Sequence, residues 1–181
     1  MKKHLSPNTS GENSALLVID IQNDYFDDGS HALYNARGAL ANAEDILARF
    51  RSNGLPVIHI QHNNGQGASF FAQDSWGMEI HENVTPLKNE PLIVKRHVSS
   101  FLDTDLEDIL RESNIVQLVI VGMQTNVCVQ GTTKDAHTLG FEVILLEDAC
   151  AALSLEVHDK TIASLRELAT VMKTNAYAVS R

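Results

Sequence analysis

Three short, strongly apolar runs most constrain what this chain can fold into: Ala15-Leu16-Leu17-Val18-Ile19, Val116–Val121 and Glu142–Leu146. A strand that is apolar on both faces must be covered on both faces, which is the setting of a parallel sheet between layers of helix. Helical spacing fills the gaps. Ala36–Asn53 carries Leu40, Ala43, Ile46, Leu47 and Phe50 on one side, and Asn53-Gly54 closes it. Thr104-Asp105-Leu106-Glu107 reads as a capping box opening a helix, Asn126–Leu139 stops at Gly140, and His158–Ala169 gives a fourth helix. Pro56–Ile60, Pro91–Val94 and Thr170–Met172 supply the remaining strands. Strands alternating with helices imply right-handed βαβ units. The expected fold is therefore α/β: a three-layer α/β/α sandwich around a mostly parallel six-stranded sheet.

The chain has 181 residues, 44 % of them apolar, which suits one domain over 1–181. Residues 1–14 read as a poorly structured N-terminal segment. Lys2 and Lys3 are not followed by an apolar stretch, so a cytoplasmic location is expected. The formal charge of −9 argues against nucleic acid or anionic membrane as a partner. Cys128 and Cys150 are the only cysteines, are not spaced as Cys-x-x-Cys, and are expected as free thiols. Glycine-rich phosphate-binding motifs are absent, which removes nucleotide-binding α/β classes.

In a doubly wound sheet, ligands bind at the carboxyl ends of the strands. Three chemically able residues fall there: Asp20 after the first strand, Lys95 after the third, and Cys128 in the turn after the fourth. Singly, each has a dull reading as turn residue, solvated lysine or packed thiol. Together they make a carboxylate that can take a proton, an ammonium that stabilises adjacent anions, and a nucleophile. A thiol at a helix start is also expected to be biased toward the thiolate. The turn Met123–Val127 can aim backbone N–H groups at an oxyanion.

These residues lie in motifs that recur as a set. Leu17-Val18-Ile19-Asp20-Ile21-Gln22-Asn23-Asp24, Val94-Lys95-Arg96-His97-Val98-Ser99-Ser100-Phe101 and Gly122-Met123-Gln124-Thr125-Asn126-Val127-Cys128-Val129 follow one another in order. With them come Thr132–Ala136 and Glu147–Ala151. From about Ala15 onward the chain resembles the isochorismatase-like cysteine hydrolases, which include nicotinamidases, N-carbamoylsarcosine amidases and ureidoacrylate hydrolases. The resemblance implies an isochorismatase-like, Rossmann-like sheet and a catalytic triad of Asp20, Lys95 and Cys128. It further implies a cis peptide between Met123 and Gln124, with the amides of Gln124 and Cys128 forming an oxyanion hole.

The expected activity is hydrolysis of a small amide, ureido or carbamoyl compound through a thioester-type intermediate on Cys128. The alternatives are an isochorismatase-type vinyl ether hydrolase and a non-catalytic binding domain with a vestigial site. The resemblance also implies a homo-oligomer, dimer or tetramer, acting on a small molecule. Nicotinamidases bind a metal through Asp-x-His after the second strand. This chain has His59-Ile60-Gln61-His62 there, so no metal and no cofactor are expected. Tyr25, Phe26, His62, Trp76 and Phe101 are the expected substrate-pocket residues. The polar stretch Gln61–Asn89 is long enough for a functional loop.

Overall fold

A computed structural model describes residues 13–179. The expectation for the N-terminal segment falls almost wholly outside these residues. Ser14, at its edge, already belongs to the sheet: it is buried and its hydroxyl donates to Gln117 Oε1 at 2.9 Å.

Six strands form one sheet: β1 (Ser14–Ile19), β2 (Val57–His62), β3 (Leu92–Lys95), β4 (Gln117–Met123), β5 (Glu142–Ala151) and β6 (Thr170–Met172). Their order is β3-β2-β1-β4-β5-β6, and every pairing is parallel. The helices are α1 (Ala36–Ser52), α2 (Leu106–Glu112), α3 (Gln130–Thr138) and α4 (Leu155–Leu165). Side-chain alternation along β1 shows why both faces must be apolar. Leu16 and Val18 pack with the α1 residues Leu40, Ile46, Leu47 and Phe50, whereas Ala15, Leu17 and Ile19 pack with Leu106, Leu110 and Leu165 on the other side. Among the described residues, no helix is long and apolar enough to cross a membrane.

Several boundaries differ from those expected. β2 runs on to His62, because its last residues pair with β3 in the register Gln61↔Val94 and His62↔Lys95. β5 does not stop at Glu147 but continues through a register shift that sets Gly122 opposite Cys150. The Thr104–Glu107 box does not form. Thr104 Oγ1 donates to Ser100 O at 2.6 Å, and Glu107 instead pairs with Arg111 at 2.7 Å, so α2 starts at Leu106. α4 begins earlier, at Leu155, because Ser154 Oγ caps the Val157 N–H at 3.3 Å. Between β4 and α3 the chain makes a wide turn, Thr125–Val129, in which the Val129 N–H reaches back to Gln124 O at 3.2 Å. Cys128 lies in this π-type turn, ahead of the first α-helical residue.

Candidate active site

Polar residues at the carboxyl ends of β1, β2, β3 and β4 converge at one sheet edge, with His62 and Lys95 ending β2 and β3 and Asp20 and Cys128 following β1 and β4. Asp20 leaves β1 in the left-handed region, with φ of 50°, a conformation that aspartate tolerates better than most residues. Its N–H is held by Ile60 O at 3.1 Å, and its side chain is fully buried. Gly122, in register with Ile19, lets β4 come close enough: a Cβ there would stand 2.0 Å from Ile19 O, and its φ is 139°. The bond between Met123 and Gln124 is cis. Ser100 pins the segment after β3 to α3 through Thr132 Oγ1, at 3.0 Å from the N–H and 2.9 Å from the hydroxyl. Thr125 Oγ1 and His158 Nδ1, 2.9 Å apart, tie the cysteine turn to α4.

Lys95 stands at the centre of the cluster. Its Nζ is 2.7 Å from Asp20 Oδ2, 3.2 Å from Cys128 Sγ, 2.7 Å from His62 Nδ1 and 3.0 Å from His97 O. Asp20 Oδ1 is buried and takes no hydrogen bond from the described residues. The state of the thiol differs from the thiolate expected of a helix start. Burial, and then the Asp20 carboxylate beside it, push the Cys128 thiol well above its ordinary range, and the Lys95 ammonium only partly offsets them. The resting arrangement is a thiol facing a carboxylate. Cys150 is also pushed up, to about 12, mainly by burial, and its S–H points at Leu146 O, 3.4 Å away.

Asp20, His62 and Cys128 bring three metal-ligating atoms within 4.8 Å of one another, the one such cluster among the described residues. The Lys95 ammonium lies among them and contacts all three, so this donor set already holds a cation and does not fit a metal as well. His59 and His62 stand on opposite faces of β2 and cannot share an ion. His59 Nε2 instead meets Glu90 Oε2 at 3.0 Å.

The expected pocket residues divide. Tyr25 is buried with its ring edge against Phe71 at 4.8 Å. Burial and then the charges of Asp20 and Cys128 raise its phenol, while a hydrogen bond with the Gln124 side chain lowers it. His62 joins the cluster directly through Lys95. The contacts of the other three are with other residues. Phe26 is buried against the His81 ring at 4.5 Å, and Phe101, half-buried at the margin of the core, stacks on Phe141 at 6.0 Å. Trp76 is 53 % exposed and borders a cavity of about 700 Å³ with Asn23, Gln61 and His81, away from Asp20, Lys95 and Cys128. Hydrophobic character alone does not tell which apolar residue faces a site.

Sequence reasoning missed Gln22, Asn64, Phe71 and the His97 carbonyl. Gln22 lies within the first motif and Phe71 in the long loop after β2, where polar and aromatic character could have flagged them, but a backbone carbonyl leaves no trace in sequence.

The fold and this edge together define a doubly wound α/β enzyme domain with a buried carboxylate–ammonium–thiol cluster at the carboxyl ends of its strands. The chain belongs to the isochorismatase family, whose isochorismatase domain model matches residues 14–176, and it is a hydrolase of that family. It is 45 % identical to the isochorismatase family protein YddQ of Bacillus subtilis strain 168, over 82 % of this chain and 83 % of that protein. It is 28 % identical to the ureidoacrylate amidohydrolase RutB of Agrobacterium fabrum, over 75 % of each. A crystal structure of an isochorismatase hydrolase from Oleispira antarctica superposes with a TM-score of 0.86 at 34 % identity, covering 94 % of this chain and 97 % of that one.

Proposed function

We propose that the protein is a cysteine hydrolase that cleaves a small amide, ureido or carbamoyl substrate through a thioester-type intermediate on Cys128. The observation that carries this reading is the Lys95 ammonium lying between Asp20 Oδ2 and Cys128 Sγ while Asp20 Oδ1 is left without a hydrogen bond. A buried carboxylate oxygen with no partner is a proton acceptor in waiting. Asp20 takes the S–H proton, and the sulfur forms a bond to the substrate carbonyl carbon. The carbonyl electron pair moves to oxygen, where the N–H groups of Gln124 and Cys128 receive it. As the C–N bond breaks, Asp20 returns the proton to the departing nitrogen. Water, activated by the same carboxylate, then cleaves the sulfur–carbon bond and restores the thiol. A resting thiol needs such a base more than a preformed thiolate would. The amidohydrolase activity in the name of the RutB relative supports a C–N bond as the target.

The test is a panel of nicotinamide, carbamoyl, ureido and isochorismate compounds, scored for ammonia and product release. Cys128→Ala should abolish turnover of the active compound and leave the folded structure unchanged. Full turnover by that variant, or hydrolysis confined to isochorismate, would overturn the covalent reading.

A further inference from the structure

His62 is a nearly buried titratable group at the centre of the cluster for which the covalent mechanism above has no use. Its placement is built with care. Gln22 grips its main chain from both sides: Nε2 donates to His62 O at 2.9 Å and Oε1 accepts from His62 N at 2.8 Å. The register His62↔Lys95 sets the two residues side by side on adjacent strands. An ammonium can only donate, so Nδ1 of His62, 2.7 Å from Lys95 Nζ, must present its lone pair. Nε2 therefore carries the hydrogen, and it points at Asn64 Oδ1, 2.8 Å away. The partners on the two sides assign a single neutral tautomer.

An ammonium has three protons. Here it faces the four acceptors described above. Two of them, His62 Nδ1 and His97 O, are neutral and fixed by the main chain. We propose that His62 is the positioning residue of Lys95: with His97 O it takes up two of the ammonium protons, so that the third is shared between Asp20 Oδ2 and Cys128 Sγ. When the thiol proton passes to Asp20, negative charge leaves the oxygen and appears on sulfur. The shared N–H follows it with no change in the other two bonds. Were Nδ1 missing, a second N–H would be free to bind the carboxylate. Lys95 would then draw onto Asp20, make it a poorer base and withdraw from the sulfur. This inference rests on the reading of Cys128 as nucleophile and Asp20 as base.

A protonated imidazole cannot accept from Lys95. Burial and then the adjacent ammonium hold His62 below the usual histidine range, with the Asp20 charge and the Asn64 contact pulling upward and His97 again downward. Lys95 from β3, Asp20 after β1, Cys128 in the turn before α3 and His97 after β3 are the charged or titratable groups around it. The accepting form thus persists at neutral pH and is lost on acidification.

The experiment uses the full-length protein and iodoacetamide as the probe of Cys128, with alkylation rates followed from mildly acidic to alkaline pH. It adds kcat and KM on whichever panel compound is turned over. His62→Leu removes the acceptor, whereas His62→Asn keeps an oxygen near the Nδ1 position and has no titrating ring. His62→Leu should lower kcat about a hundredfold with little change in KM, the scale expected when a catalytic group is misplaced. His62→Asn should recover most of that loss, and its acid limb should move to lower pH in both alkylation and kcat. If His62→Leu does not fold, the His62→Asn profile decides alone. Wild-type kcat and alkylation profile in His62→Leu, an unmoved acid limb in His62→Asn, or equal loss in two normally folded variants would overturn the proposal. Those outcomes leave an inactive Cys128→Ala untouched, so failure here is distinct from failure of the hydrolase reading.

Discussion

Replacing Lys95 by methionine tests whether the ion pair at the centre of the site holds the fold as well as the chemistry. The substitution keeps most of the stem volume and deletes the charge. Asp20 and Lys95 have side chains with no solvent exposure and lie 2.7 Å apart. Removing one partner of such a pair costs about 3–5 kcal/mol, because the other is left as a buried, uncompensated charge. Asp20 has little else to turn to, since Lys95 is its one ion-pair partner at short range among the described residues and His62 Nδ1 is 3.9 Å away. At about 2–4 °C per kcal/mol for a chain of this size, the melting temperature should fall by roughly 6–20 °C. The double variant Asp20→Asn with Lys95→Met should regain most of the loss. Urea unfolding of wild type, both single variants and the double variant at neutral pH measures this. A Lys95→Met variant within about 1 kcal/mol of wild type would refute the argument, since that is the range of a solvent-exposed pair. So would a double variant no more stable than Lys95→Met.

Three other outcomes follow from the packing and charges. Gly122→Ala should destabilise by several kcal/mol and cut activity, because the clash is with the Ile19 main chain and no rotamer relieves it; a near-neutral thermal unfolding curve would count against this. In the folded protein iodoacetamide should modify Cys128, which has the Asp20 carboxylate beside it to take its proton, and spare Cys150, whose sulfur is held by the main chain of Leu146 and Gly122; the Cys128 rate should climb with pH because its thiol is held above the ordinary range, and peptide mapping that found equal labelling would contradict the assignment. Burial pushes the Glu90 carboxyl up, but Arg51, the Leu87 N–H and His59 outweigh it and hold it at about 2. Its folded value lies below the unfolded one, so the stability it contributes is present above about 4.5 and is lost as pH falls toward 2. Glu90→Gln should therefore flatten the acid limb of the stability curve, as read by denaturation across that window.

Much of the fold was legible because it depends on local periodicity and on the cost of exposing apolar surface. The run Ala15–Ile19 cannot be satisfied by one helical layer, and the two cores on either side of β1 are the direct consequence. Boundaries were less legible wherever a distant partner decided them. β2 reaches His62 because β3 offers hydrogen bonds there, and β5 passes Glu147-Asp148 because Gly122 accommodates Cys150 across the sheet. The pocket residues show the same division. Tyr25 and Phe26 are adjacent in sequence and both aromatic, yet one meets Phe71 beside the cluster and the other His81.

That Asp20, Lys95 and the turn bearing Cys128 end strands of one parallel sheet is already implied by the order of residues, because apolar runs and alternating helices leave few other arrangements. How those residues meet depends on the folded arrangement in three dimensions. The ammonium takes its position from acceptors on four separate segments, and the thiol is raised by burial beside a carboxylate more than a hundred residues away in the chain. Distances of a few ångströms between such segments are set by strand register and close packing, neither of which a one-dimensional pattern encodes.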